Sequence, residues 1–190
     1  METIGRRERK KAATRQALAD AALELFLEHG YDGVTVAQIA DAADVSLATL
    51  FKHVPDGKEA LIFDDGTERR DAAVAAVRDR PAGTTVLAAL RGFMTGRGPF
   101  ATDLTPDLLR KRDLIVGTPA LAGYQRRLWL AGEGALAEAI AGASGRAAGD
   151  PAVRALARYV LEVPELAGTD PDPRASLDAI FDLLERGWSG

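Results

Sequence analysis

Four expected helix starts in the second half of the chain are marked by a threonine or an aspartate followed by proline. They lie at Thr105-Pro106, Thr118-Pro119, Asp150-Pro151 and Asp172-Pro173. A side-chain oxygen at the N-cap followed by proline in the first turn is typical of a helix start, since proline lacks an N–H that would be unsatisfied there anyway. The segments between these pairs carry apolar residues at the helical period, and none alternates convincingly as a strand does. We therefore predict an all-α fold of about nine helices.

The first 54 residues predict three shorter helices. Thr14 is expected to cap the first helix, which ends at His29-Gly30. Thr35 caps the second helix, and Ser46 caps the third, which ends before Pro55.

The next helix starts are less regular. Asp56 and Glu59 have the spacing of a capping box and predict a fourth helix to about Arg80. Thr84 is expected to cap another helix to about Arg97. We expect an N-terminal domain at residues 1–57 and a larger helical bundle at residues 58–190.

The composition excludes several classes of site. The chain of 190 residues has no cysteine, which excludes disulfides, thiolate catalysis and iron–sulfur clusters. With two histidines and no complete catalytic motif, we predict that it is not an enzyme and has no catalytic residue, metal site or cofactor. No apolar run is long enough to cross a bilayer, and the basic start does not lead into a signal sequence, so we expect a cytoplasmic protein without a membrane partner.

The second and third predicted helices have the size and spacing of a helix-turn-helix. Apolar residues at Ile39, Leu50 and Val54 would hold the pair against the first helix. The other face of the third helix is small, polar and weakly basic, which suits a major groove about 12 Å wide. The predicted DNA contacts are Thr35, Ser46, Leu47, Ala48, Thr49, Lys52, His53 and Lys58. A helical adaptor that binds another protein and not DNA is the alternative.

A cluster of basic residues precedes this unit. It consists of Arg6, Arg7, Arg9, Lys10, Lys11 and Arg15. We expect these residues to form a flexible N-terminal arm that adds salt-sensitive affinity for DNA phosphates.

The stretch TRQALADAALELFLEHGYDGVTVAQIADAADVSLATLFKHVPDGKEAL, from Thr14, resembles the N-terminal domain of the tetracycline-repressor (TetR) family. The remainder has the family's usual layout, and RDLIVGTPAL followed by one long helix is similar to the ligand-binding region of many actinobacterial members. The resemblance implies a homodimeric repressor with two recognition helices in successive major grooves of a palindromic operator, about 34–36 Å apart. It also implies that a small molecule in the C-terminal domain releases the DNA.

The chain departs from the family pattern at a few positions. Asp44 replaces the usual glycine of the turn, and aspartate tolerates a left-handed conformation better than most residues. Phe51 replaces a tyrosine whose hydroxyl contacts phosphate, and Val54 replaces a phenylalanine; we assign both to hydrophobic packing. One extra residue precedes Lys58, which in the family helps to bind phosphate.

The C-terminal bundle contains candidate effector-binding residues, although ordinary core packing is the favoured explanation for any one of them taken singly. They are Phe93, Met94, Phe100, Leu104, Leu108, Tyr124, Leu128, Trp129 and Tyr159. Gly123, Gly132 and Gly134 fall within one long predicted helix, so we expect a close helix contact, a ligand or a kink there. Arg126 and Arg127 can pair with an anionic effector or remain solvated.

The last predicted helix carries an apolar stripe that either packs within the chain or contacts a second copy. It comprises Leu177, Ile180, Phe181, Leu184 and Trp188. In the family the last two helices form the four-helix dimer interface, so we assign this stripe to a homodimer.

Overall fold

The computed structural model describes residues 5–102 and 104–187. Within these ranges the chain forms ten α-helices and two short 3-10 helices, with no strand. The helices are α1 (Arg6–His29), α2 (Val36–Ala42), α3 (Leu47–His53), α4 (Thr67–Arg78), α5 (Val86–Thr95), α6 (Pro106–Gly117), α7 (Pro119–Leu130), α8 (Glu133–Ser144), α9 (Pro151–Ala167) and α10 (Pro173–Arg186), and the 3-10 helices are Lys58–Leu61 and Gly98–Phe100. The all-α prediction is confirmed.

The chain divides into two compact units. The first contains the described residues up to Asp64 together with Pro106–Tyr124, and the second contains Asp65–Thr105 and the described residues from Gln125 onward. The units do not divide after residue 57, where the domain boundary was expected, because Ala60, Leu61 and Ile62 are buried in the core of the first unit. The functional boundary at residue 57 stays a prediction.

The core of the first unit forms between α1 and the helix pair α2–α3. Leu18, Ala22 and Phe26 repeat at the spacing of one helix face and are buried on α1. They belong to the same apolar cluster as Ile39 of α2 and Leu50 of α3. This packing gives α3 one buried side and leaves its other side outward.

The core of the second unit lies among α4, α5, α8, α9 and α10. Its fully buried side chains include Val77, Leu90, Val160 and Phe181. The single long helix expected around Gly132 is two helices, since α7 ends at Leu130 and α8 begins at Glu133. A Cβ at Gly132 would lie 3.4 Å from the Arg70 side chain and 3.4 Å from the Trp129 carbonyl oxygen, which is ordinary van der Waals contact, so this break does not require glycine.

Most predicted helix starts are confirmed. The helices α6, α7, α9 and α10 begin at the four expected prolines. The carboxylates of Asp150 and Asp172 accept backbone hydrogen bonds at the starts of α9 and α10. The cap of α5 is Thr85, one residue later than expected, and its hydroxyl accepts from the Ala88 N–H.

Two predicted starts are wrong. Helix α1 begins at Arg6, and Thr14 lies inside it, where its hydroxyl donates to the carbonyl of Lys10 at 3.0 Å. The capping box at Asp56 and Glu59 does not form, because Gly57 has φ +98° and leads into a 3-10 helix without a side-chain cap. Helix α4 starts only after Gly66, which adopts a left-handed conformation with φ +73°.

Candidate nucleic-acid interface

The turn between α2 and α3 sets the direction of α3. Thr35 and Gln38 form a reciprocal capping box at the start of α2. Asp44 adopts φ +52°, the positive value that the glycine of the family pattern would accommodate without strain. The Val45 N–H then donates to the Ala40 carbonyl at 2.9 Å, which closes the turn. The predicted helix-turn-helix is therefore present.

Helix α3 has a buried side and an outward side. Leu50 and Val54 are each 1% exposed and point into the first unit, as expected for Val54. The predicted contact residues lie on the remaining surface: Ser46, Leu47, Ala48 and Lys52 are exposed, and Thr49 and His53 are half-buried. Thr35, at the start of α2, is exposed as well. The structure thus brings these predicted residues to the outward surface around α2 and α3.

The hydroxyls at the start of α3 are held in place by each other. The Ser46 oxygen accepts from the Thr49 N–H at 3.2 Å and lies 2.9 Å from the Thr49 hydroxyl oxygen. Hydroxyls both donate and accept, so a group in this pair can still bind a base edge or a phosphate oxygen. The cap therefore fixes the helix and presents polar groups at the same time.

Arg15 does not belong to a flexible arm, which corrects the prediction. Its side chain is half-buried, and its Nη1 donates to the carbonyl of His53 at 3.2 Å. Its Nη2 donates to the carbonyls of Ala60 and Phe63 at 3.1 and 3.2 Å. Arg15 therefore joins α1 to the C-terminal end of α3 and to the segment that follows it.

The other predicted arm residues are part of α1. Arg6, Arg7, Arg9, Lys10 and Lys11 lie in its first two turns, and all five are exposed. Every residue from 5 to 13 is exposed, and residues 6–13 are helical. This end of α1 therefore presents its positive charge on a helix and not on an irregular arm.

Lys58 also points inward, contrary to its predicted contact with phosphate. Its ammonium donates to the carbonyls of Tyr31 and Val34 at 2.6 and 2.7 Å and lies 4.0 Å from the centre of the Tyr31 ring. The Asp56-Gly57 connection, with its one extra residue, directly precedes Lys58. Through these two hydrogen bonds the Lys58 side chain joins the 3-10 helix to the loop after α1.

Tyr31 and Glu59 extend this connection. The Tyr31 hydroxyl donates to the Glu59 carboxylate at 2.6 Å. Burial raises the pKa of Tyr31 well above its ordinary value, and the bond and charge of Glu59 raise it further. The tyrosine hydroxyl is therefore held as a proton donor.

Phe51 is not packed in the core, which corrects a second prediction about α3. Its side chain is 52% exposed, and Leu47, one turn earlier, is 42% exposed. Leu50 and Val54 occupy the buried side of this short helix, and about half of the Phe51 side chain remains in water.

The candidate effector residues are not brought together in one cavity. Met94 and Phe100 are fully buried core, while Phe93 contacts Trp129 edge to face at 6.4 Å. Tyr124 stacks on Phe63 in the first unit. The remaining candidates are Leu104, which is half-buried, and Leu108 and Tyr159, which are exposed.

A small cleft in the second unit includes two of these candidates. Leu128 and Trp129 line it together with Gly66, Arg69 and Gly132. Its internal volume of about 10 Å³ is enough for no more than one water molecule. On the same helix, Arg126 forms two hydrogen bonds to Glu162 at 2.7 and 2.6 Å, so a carboxylate of α9 already occupies it.

The stripe assigned to a dimer interface is partly internal. Leu177 and Phe181 are 0% exposed and belong to the core of the second unit, so neither can contact a partner. Ile180 and Leu184 are half-buried against the same core, and Trp188 lies outside the described residues. On α9, Tyr159 and Leu166 are large apolar side chains that are exposed. The sequence did not predict either of them to lie at an interface.

None of the helices in residues 5–102 and 104–187 is long and apolar enough to cross a membrane. In the same ranges no three His, Asp or Glu side chains are arranged to hold a metal ion.

Comparisons with known proteins match both parts of the chain. Residues 18–64 match the family model described as "Bacterial regulatory proteins, tetR family", and residues 84–189 match the model described as "MftR C-terminal domain". The structure of Salmonella enterica GusR superposes with a TM-score of 0.53 at 21% identity, over 90% of this chain and 93% of that one. That similarity establishes the fold.

Two curated relatives are similar in sequence. The HTH-type transcriptional regulator TcmR of Streptomyces glaucescens is 42% identical over 88 residues, which is 46% of this chain and 38% of TcmR. The "Putative mycofactocin biosynthesis transcriptional regulator MftR" of Mycobacterium tuberculosis is 26% identical over 137 residues, which is 72% of this chain and 69% of that protein.

The second family model alone covers more than half of the chain, and the first covers the helix-turn-helix. The named relatives regulate transcription, and the first of them is matched over little more than a third of its length. The chain belongs to the tetR family of bacterial regulatory proteins.

Proposed function

We propose that this regulator is a homodimeric repressor that binds a palindromic operator through α3, acts in the cytoplasm, and releases DNA when a small-molecule effector binds. The observation that carries the proposal is the outward surface of α3. Ala48 and Lys52 lie exposed beside the hydroxyl of Thr49, while Leu50 and Val54 hold the opposite side in the core. A small residue, a hydroxyl and one cation on the same surface suit close approach to base edges and phosphates.

The dimensions of α3 support this use. An α-helix with its side chains is about 10–12 Å across, close to the width of about 12 Å of the major groove. Ala48 allows the backbone to approach the bases, and Thr49 can bond to a base edge or a phosphate. Leu47 and Ala48 can contact the methyl group of thymine.

Phosphate affinity is assigned to the basic turns of α1 and to Lys52. The five exposed cations from Arg6 to Lys11 would add affinity that does not depend on sequence and falls with salt. Arg15 and Lys58 are not assigned to phosphate binding, because their donors bind backbone carbonyls of the first unit.

The homodimer is proposed to form through α9 and α10. Tyr159 and Leu166 lie seven residues apart and therefore on one face of α9, and both are exposed. Ile180 and Leu184 of α10 are half-buried and can contribute their remaining surface. A twofold axis through these helices would give two copies of α3 for two half-sites about 34–36 Å apart.

The effector is proposed to bind in the second unit near Phe93 and Trp129. The cleft beside Trp129 is too small for an organic ligand, so binding requires the surrounding helices to separate. A ligand that binds better to the opened bundle than to the closed one shifts the protein between two conformations, and release of DNA follows if only one of them fits the operator.

The direct test is a fluorescence-anisotropy titration with duplexes from the DNA that flanks the gene. We expect saturable binding to a palindromic duplex, and affinity that falls steeply between about 50 and 200 mM salt. Replacing Thr49 or Lys52 by alanine should each weaken binding by about 1–3 kcal/mol. Arg154→Ala, an exposed change on α9, is the matched control and should leave affinity unchanged.

Equal binding to a duplex of scrambled sequence would contradict operator recognition, and no binding to either duplex would favour the adaptor alternative. The dimer has its own test, since Leu166→Asp should shift the sedimenting species from dimer to monomer while leaving the helical circular-dichroism signal intact.

A further inference from the structure

Helix α3 exposes two large apolar side chains, each with about half of its surface in water among the residues that the structure describes. Phe51 is 52% exposed and Leu47 is 42% exposed. They lie four residues apart and therefore one helical turn apart on the same flank of α3. The other exposed large apolar side chains of the described residues lie on α6 and α9.

A phenyl ring has no hydrogen-bond donor, so Phe51 cannot make the phosphate contact that a tyrosine makes at this position. The apolar group that bases present in the major groove is the C5 methyl of thymine. We propose that Phe51 and Leu47 read thymine methyl groups and so select operators by their methyl pattern. This inference rests on the proposed function, since it assigns base specificity to the same surface.

The surroundings of the pair favour duplex DNA as the occupant. Helix α3, with the sequence LATLFKH, has no acidic side chain, and Lys52 lies exposed directly beside Phe51. Leu50 and Val54 anchor the helix from behind, so the two apolar side chains cannot turn inward without unpacking the core. A cationic apolar surface of this kind fits a groove bordered by phosphates and containing methyl groups.

The spacing gives the expected methyl pattern. Four residues of helix rise about 6 Å, whereas base pairs are spaced about 3.4 Å apart. The two side chains therefore reach methyl groups within about two base pairs of each other. The operator half-site should contain thymine, or 5-methylcytosine, at both positions.

The experiment replaces single thymines by deoxyuridine, which removes the methyl group and keeps every hydrogen-bonding group. In one half-site of the operator found by titration and footprinting, each thymine is changed in turn. Loss of one buried methyl contact should weaken binding by the wild-type chain about fourfold. We expect this loss at two neighbouring positions and little change elsewhere.

Protein variants identify the side chain that reads each methyl. Phe51→Ala should abolish the effect of deoxyuridine at one position, and Leu47→Ala should abolish it at the other. In each case the side-chain change and the base change are coupled, and their effects on the binding free energy are not additive. Val116→Ala, which trims another exposed apolar residue on α6, is the matched control and should keep the wild-type pattern. Thermal melting should change little in all three variants, since each trimmed side chain is about half exposed to water.

Several results would overturn the inference. Methyl reading by Phe51 is excluded if deoxyuridine leaves the operator affinity unchanged at every position. It is also excluded if deoxyuridine lowers the affinity equally for the wild type and for Phe51→Ala. A large fall in melting temperature for Phe51→Ala shows a packing role, and a change in sedimentation without a change in thymine preference shows a protein contact. Failure to bind any palindrome specifically would instead refute the proposed function, and is seen before any base is modified.

Discussion

Arg15 offers the sharpest test of how the first unit holds α3. Its guanidinium forms three hydrogen bonds to the carbonyls of His53, Ala60 and Phe63, at 3.1–3.2 Å. Arg15→Met keeps most of the apolar stem and removes all three bonds. A charged donor contributes about 1 kcal/mol or more per bond, taken at the low end because the site is only partly buried. We therefore expect a loss of about 3 kcal/mol, a large part of the stability of a typical domain.

The assay combines urea unfolding, followed by circular dichroism at 222 nm, with operator binding at several salt concentrations. Arg15→Met should lower the unfolding midpoint and the operator affinity but leave the salt dependence of binding unchanged, because no phosphate contact is lost. Lys11→Met, one turn earlier on α1 and exposed, is the matched control. It should keep the stability and reduce the salt slope by about 0.9 if it binds phosphate. Wild-type stability with a reduced slope in Arg15→Met would refute the reasoning.

Three further changes test the contacts nearby and in the second unit. Lys58→Met should cost about 2 kcal/mol in urea unfolding, since it removes two bonds to carbonyls, and wild-type stability would contradict this role. Tyr31 has a raised pKa in the folded state, so its contribution to stability is complete below about pH 10 and is lost as the pH rises further; Tyr31→Phe should reduce that alkaline loss in unfolding measured from pH 8 to 11. The guanidinium of Arg126 lowers the pKa of Glu162, whose contribution is therefore complete above about pH 4.5 and is lost on acidification. The free energy of unfolding should accordingly fall less between pH 6 and pH 3 in Glu162→Gln than in the wild type. An equal fall in both proteins would count against the ion pair.

Local signals in the sequence predicted the helix starts well. The threonine–proline and aspartate–proline pairs and the caps at Thr35 and Ser46 depend only on residues within one turn, and the structure contains them. The turn at Asp44 was predicted for the same reason. Such features need no knowledge of the tertiary fold.

The inward cations could not be predicted in the same way. Arg15 binds carbonyls 38 to 48 residues away, and Lys58 binds carbonyls 24 and 27 residues away. The pattern of side chains in a sequence does not show which backbone carbonyls will accept a hydrogen bond. From the sequence alone, Arg15 and Lys58 therefore resemble cations that contact DNA. One signal was present for Arg15, which precedes buried Leu18 by three residues and so shares its face of α1.

The apolar stripe of α10 shows a different limit. Its periodicity predicts a buried face but does not distinguish a core within the chain from an interface between chains. Leu177 and Phe181 are buried against the core of their own unit. The proposed dimer surface therefore shifts toward the exposed apolar residues of α9.

The central claim is that the outward surface of α3 enters the major groove at two half-sites. Because the chain has no cysteine, Asp56→Cys creates a single attachment point for a DNA-cleaving iron chelate at an exposed residue just after α3, outside the proposed DNA contacts. Bound to its operator, the labelled protein should cut at two symmetric clusters whose centres lie about 10 base pairs apart, or a multiple of that distance. No cleavage, or cuts scattered evenly along the duplex while specific binding persists, would contradict the account.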